Sequence, residues 1–241
     1  MLTKSFLLAL TAVLCSILPA RSQTPPSLPD GPGKEGVVQY CSGCHGLARV
    51  AASGYPQAYW HTVIRMMLNF EVAIPPDQVI PLTDYLAKNF PEKPKPVAHI
   101  IAGPARIDIQ EWQVPIPGSR PHDPLATRDG AIWYTGQMSN RLGRVDPKAG
   151  EIKEYPLKTP LTAPHGLVED QGGHIWFTGN HLSIVGQLDP QTGAVTEYKM
   201  PDPNAKDPHS LAFDPSGILW FTLQQSNMIG RLDPSTGEIK L

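Results

Sequence analysis

Ile175-Trp176-Phe177-Thr178 decides the fold, because the same four positions return as Ile132-Trp133-Tyr134-Thr135 and Leu219-Trp220-Phe221-Thr222, at intervals of 43 and 44 residues. Two further ladders keep step with it. Asp146-Pro147, Asp189-Pro190 and Asp233-Pro234 each lead to a glycine, at 150, 193 and 237, and Glu111-Trp112, Glu154-Tyr155 and Glu197-Tyr198 form the third. A period near 43 built from short alternating strands and Gly- or Pro-bearing turns is the signature of propeller blades. A helical repeat of that length would need long segments of 3.6-residue periodicity, and the sequence has none. Residues 107–241 are therefore predicted to be an all-β propeller with three blades present. Closed propellers have four to eight blades. The sequence stops at Leu241, inside the strand that followed the same turn in earlier repeats, so the expectation is a C-terminally incomplete sequence or two chains sharing a six-bladed ring.

One blade position carries candidate chemistry. His122, His165 and His209 each follow a proline and recur at 43 and 44 residues, so they hold equivalent places on each blade's innermost strand. Equivalent places converge on the propeller axis, where imidazoles can bind a metal or an anionic small molecule. The competing reading has each histidine bonding to the backbone of the neighbouring blade.

The repeats resemble the virginiamycin B (streptogramin) lyase family of seven-bladed propellers, through Pro164-His165-Gly166-Leu167, Trp176-Phe177-Thr178 and Ile229-Gly230-Arg231-Leu232-Asp233-Pro234. The resemblance implies proton transfer by the histidine of the Pro-His-Gly motif, with His165 and His209 as the candidate catalytic residues, and a divalent metal such as magnesium held by flanking acids. One acid should follow the Trp-Phe-Thr triplet, where this chain has Gly136, Gly179 and Leu223. The other should lie two residues before the histidine, where it has Arg120, Ala163 and Asp207. Only Asp207 is an acid, and a lone carboxylate makes a poor magnesium site.

Upstream, Cys41-Ser42-Gly43-Cys44-His45 is a C-x-x-C-H motif, the attachment signature of c-type haem. Two thiols at that spacing suit two porphyrin vinyl groups, and the adjacent imidazole suits the proximal iron position. A thioredoxin-like dithiol would need a βαβ setting, and a zinc site would need two more ligands at closed spacing. Residues 34–91 read as a small all-α unit: a helix over Lys34–Gly43, a second over Tyr59–Phe70 with Trp60, Val63, Ile64 and Met67 along one face, and a third opening at Pro76 or Asp77 with Val79, Leu82, Leu86 and Phe90 as its buried stripe. Pro56 is placed in the first turn of the second helix. Met67 shares its face with Trp60 and Ile64 and is the first candidate for the sixth iron ligand; Met66 is the second, with His61 or an open site after it. This segment resembles the small mono-haem cytochrome c domains of exported bacterial proteins, especially those of quinohaemoprotein amine dehydrogenases, through the haem motif, Trp60, Met67 and Asp84-Tyr85-Leu86-Ala87-Lys88-Asn89-Phe90-Pro91. The resemblance implies His45 and Met67 as axial ligands.

Residues 1–22 read as a secretory signal, with Lys4 as the charged start, an apolar run over Phe6–Leu18 and small residues at Ala20-Arg21-Ser22. This places the protein in the periplasm or outside the cell, where c-type haem is attached. Residues 23–33 read as a flexible leader and 92–106 as a stiff Pro-rich linker. The formal charge is −2, and losing the signal removes Lys4 and Arg21 but no acid, so nucleic acid is not an expected partner.

Two functions follow. The first is electron transfer through haem c with an unidentified redox partner protein, the propeller serving as a partner- or substrate-binding module. The second is lyase-like or lactonase-like catalysis in the propeller, with the cytochrome as an accessory.

Overall fold

The computed structural model describes residues 28–94, 103–104, 106 and 108–241. The predicted signal (1–22) lies outside these residues, as do the first part of the leader and most of the linker. No described helix is long and apolar enough to cross a membrane.

Four helices form the N-terminal unit: α1 (Lys34–Cys41), α2 (Leu47–Ala52), α3 (Gln57–Asn69) and α4 (Val79–Asn89), the last preceded by a single 3-10 turn at Pro76–Gln78. The expected faces are the buried ones. Trp60 and Ile64 of α3 meet Leu82, Tyr85 and Leu86 of α4 and Val37 of α1, with Val63, Met67, Val79 and Phe90 packed around them. Each such side chain contributes roughly 1.5–3 kcal/mol of burial free energy. The Trp60 indole donates to Phe90 O at 2.8 Å and pins the end of α4 to α3.

Several expectations are corrected. α1 stops at Cys41, two residues early, and Pro56 caps α3 from outside its first turn. α2 was not anticipated, because six residues carry too little periodicity to register. Leu28, placed in the flexible leader, is buried in the helical core, and Pro29 O accepts from the Tyr85 hydroxyl at 2.6 Å.

The remainder is three four-stranded antiparallel sheets in simple meander order. The first blade holds β1 (Pro121–Ala126), β2 (Ile132–Gly136), β3 (Arg141–Val145) and β4 (Ile152–Pro156). The second holds β5 (Pro164–Glu169), β6 (Ile175–Gly179), β7 (Ile184–Leu188) and β8 (Val195–Lys199). The third holds β9 (Pro208–Phe213), β10 (Leu219–Leu223), β11 (Met228–Asp233) and β12 (Glu238–Lys240).

The ladders each have a structural job. Trp133 stacks on Tyr155 and Trp176 on Tyr198, with ring centroids 5.3 and 5.6 Å apart, joining second and fourth strands across the blade. Gly193 turns with φ +76 after Asp189, whose carboxylate accepts from the Gln191 amide, and Gly150 and Gly237 repeat the geometry. Gly186 lies under the Phe177 ring, where an added Cβ would come within 2.1 Å of the ring. Trp112 of the third ladder is not in a strand; its indole instead lies against the Gly150 turn, as Tyr198 lies against Gly237.

The helical unit touches the first two blades. Asn69 donates to Pro117 O at 3.2 Å, and Phe70 meets the His181 ring edge-on at 5.2 Å.

Candidate functional site at the propeller axis

The inner strands β1, β5 and β9 carry the three repeated histidines, and the blades stack so that the rings form a column. His122 and His165 have centroids 4.3 Å apart, and His165 and His209 3.9 Å apart. The column is held by the threonine that closes each Trp-Phe/Tyr-Thr triplet. Thr135 Oγ1 donates to His165 O at 3.1 Å, and Thr178 Oγ1 donates to His209 O at 2.7 Å, each bond crossing from one blade to the next. The histidine backbones thus make these inter-blade hydrogen bonds, while the His209 ring meets Ser210 Oγ through Nδ1 at 3.2 Å.

A bulge in each inner strand sets where the imidazoles point. In β1, Asp123 and Pro124 face the single residue Tyr134; in β5, His165 and Gly166 face Thr178; in β9, His209 and Ser210 face Thr222. A regular strand sends adjacent side chains to opposite faces, whereas a bulge breaks the alternation and re-aims them. His122 and Asp123 consequently converge. His122 Nδ1 stands 2.8 Å from Asp123 Oδ1, and His165 Nδ1 stands 3.4 Å from Asp123 Oδ2. Asp123 is the residue the sequence reading missed. Its only signal was a break in the repeat, since the blades read Pro-His-Asp, Pro-His-Gly and Pro-His-Ser.

The mouth of the column is poorly satisfied. Neither His122 Nδ1 nor His165 Nδ1 has a hydrogen bond of good geometry, and Gln137 Oε1 and Asn180 Oδ1, just past the ends of β2 and β6, are also buried without partners. Each buried polar atom left unpaired costs roughly 1–3 kcal/mol, and such atoms gathered at one end of a fold mark a place where a ligand supplies the partners. Backbone strain gathers there too. Arg120, Ala163 and Asp207, each two residues before a histidine, all have left-handed φ values, of 51, 50 and 61°, a conformation non-glycine residues seldom adopt. Burial, then the neighbouring His209 imidazole, pushes the His165 pKa below its ordinary value, with Asp123 pulling the other way. A cleft of about 280 Å³ between the first two blades, lined by Asp129, Glu169, His174 and Asp189 among others, shares no residue with the column.

Among the described residues the paired acids of a magnesium site are not formed. An added Cβ at Gly179 would meet Thr162 at 2.5 Å and Ile184 at 2.7 Å, and at Gly136 it would meet Ser139 at 2.5 Å, so a longer side chain at either place requires its neighbours to move. Leu223 is buried, and Asp207 is engaged by Asn180. The residues present do not suit magnesium.

The family model for virginiamycin B lyases matches residues 99–241. The chain belongs to the virginiamycin B lyase family. Virginiamycin B lyase from Staphylococcus aureus is 34% identical, with a TM-score of 0.51 over 55% of this chain and 44% of that one. A streptogramin B lyase is 33% identical at TM-score 0.52, covering 55% of this chain and 43% of that one. A catalytically inactive His-to-Ala variant of the S. aureus lyase with quinupristin is 34% identical at TM-score 0.52, with 55% and 44% covered. This virginiamycin B lyase family chain thus spans less than half the length of those proteins. No curated protein matches it at a significant level.

In the helical unit, Cys41 and Cys44 are free thiols, the first half-buried and the second exposed. Burial pushes the Cys41 thiol pKa up. His45 Nδ1 is buried with no hydrogen-bond partner. Cys41 and Met67 both pack on the core around Trp60 and Ile64, whereas Met66 lies outside that cluster with its backbone against Gly118. His61 is half-buried and also outside it. The motif thus presents two free thiols three residues apart, followed by an imidazole whose Nδ1 has no partner.

Proposed function

We propose that the propeller is a lyase-like module that binds a small molecule at the axial mouth and moves a proton there, with His165 as the base and His209 beside it. The observation that carries this reading is the column itself: three imidazoles in ring contact, ringed by buried polar atoms that want partners. Elimination needs a group to take a proton as the leaving group departs. His165 suits this task because its lowered pKa keeps the ring neutral near pH 7. The Thr135 bond to its carbonyl fixes the backbone that carries it. His209, less buried, is placed to pass the proton on.

Quinupristin, the molecule in one related structure, is the first probe. Incubated with the full chain, it is expected to give a linear product by mass spectrometry, with the rate falling about 100-fold or more in His165→Ala. No linear product from the full chain would sink the streptogramin reading, and an unchanged rate in the variant would sink the role of His165.

The helical unit supports a second activity, favoured by the unclaimed His45 nitrogen beside two free thiols. Cys41 and Cys44 would form the thioethers and His45 the proximal ligand, with Met67 as the distal one. The bound haem would supply one-electron exchange with a redox partner protein, in an exported protein. This chain's own part is to hold the ligands at the end of α1, in the turn that follows it and on α3, with Cys41 and Met67 packed on one shared core. A c-type haem spectrum that survives denaturation, and is lost in Cys41→Ser/Cys44→Ser, tests it. A protein expressed with haem-maturation machinery that carries no covalent haem would overturn it.

A further inference from the structure

We propose that His122, Asp123 and His165 bind a single transition-metal dication across the seam between the first and second blades. The donor atoms, one from each residue, all lie within 4.8 Å of one another, drawn from two inner strands that are separate in sequence. Both imidazole nitrogens turn toward one carboxylate, at 2.8 and 3.4 Å, without hydrogen-bond geometry. His165 is only 9% exposed, so its unpartnered nitrogen faces inward to the site and not to bulk water.

Donor chemistry selects the ion. Magnesium and calcium take oxygen ligands, and magnesium keeps near-ideal octahedral geometry. Two imidazoles and one carboxylate suit zinc, iron, nickel or copper. Metal bonds of about 2.0–2.2 Å to such donors can be reached by small side-chain rotations from the observed spacing. Three protein ligands leave a coordination position open, the pattern of a catalytic site, and His209 stands at the next step of the column.

Among the described residues the site is peculiar to this seam. Asp123 has Gly166 as its counterpart in the second blade, where an added Cβ would strike His209 O at 2.4 Å, and Ser210 in the third. A general feature of the fold would recur at the second seam, where no carboxylate takes the equivalent place. A metal-bound His165 can no longer take a proton, so this inference is an alternative to the base role of that ring and does not depend on streptogramin turnover.

The test is zinc binding to the full chain after chelator treatment, read by isothermal titration and by metal content after gel filtration. One zinc per chain is expected, not displaced by millimolar magnesium. Asp123→Asn and His122→Gln should each weaken zinc at least tenfold while leaving the melting temperature of the metal-free protein unchanged. Cys41→Ser/Cys44→Ser separates this zinc from any held by free thiols and is expected to leave the stoichiometry intact. Cobalt added to that thiol-free variant should give visible d–d bands that vanish in Asp123→Asn. Zinc retained at full affinity in both Asp123→Asn and His122→Gln, or lost in the thiol variant, would overturn the proposal.

Discussion

The second and third blades share the Pro-His, Trp-Phe-Thr and Leu-Asp-Pro motifs yet live in different surroundings. The second has a blade on each side; the third, among the described residues, has one. Trp176 is 0% exposed, sealed by Phe213 of the third blade at 5.8 Å, whereas its counterpart Trp220 is 42% exposed. Thr178 accepts from the Gly166 amide and donates to His209 O, while Thr222 accepts from the Ser210 amide and is exposed. His165 lies between two histidines and is buried; His209 has one neighbour and is half-buried. A blade motif thus encodes a surface that only a neighbour completes, and among the described residues the axial site is most fully assembled at His165 for that reason.

The largest contrast is expected at the tryptophans. Trp176→Ala removes a fully buried ring and should cost about 3–5 kcal/mol, whereas Trp220→Ala should cost about 1 kcal/mol or less. Paired urea melts check this, and equal losses would mean that the third blade is covered in solution. The threonines come next. Thr178→Val leaves the His209 carbonyl and the Gly166 amide without their buried partner, at about 1–3 kcal/mol. Thr222→Val should stay within about 0.5 kcal/mol.

A smaller effect follows from protonation. His165 has its pKa lowered in the fold, so the unfolded chain binds more protons between the two values. Its contribution is complete above pH 6.5 and is lost as pH falls from 6.5 through the folded-state value. Denaturation midpoints followed from neutral to mildly acidic pH should fall, and the slope should flatten in His165→Gln. The smallest effect is at Asp214, held down to about 2 by Ser216 and the Trp220 indole. Its contribution is present above pH 3.8 and fades toward about 2, so Asp214→Asn should remove only a slight dependence in that acid window.

The repeat made the blades legible, because the 43-residue interval, the turn glycines and the Trp–Tyr ladder are each encoded within one blade. The convergence of His122, His165 and His209 was legible for the same reason, since equivalent positions meet at an axis. Asp123 was not, because adjacent residues on a regular strand point apart and only the bulge brings it to His122. The inter-blade role of Thr135 and Thr178 was hidden too: a threonine in a buried strand reads as β-propensity until its acceptor on the next blade is seen. In the helical unit, Trp60, Ile64 and Met67 could be placed from spacing alone, whereas α2 was too short and the packing of Leu28 too remote in sequence to be read.

Hydroxyl-radical footprinting of the full chain, read residue by residue by mass spectrometry, tests most directly whether neighbouring blades assemble the site around His165. Trp220 and His209 should be oxidised readily while Trp176 and His165 are protected. Oxidation of His165 as fast as His209, or of Trp176 as fast as Trp220, would contradict it.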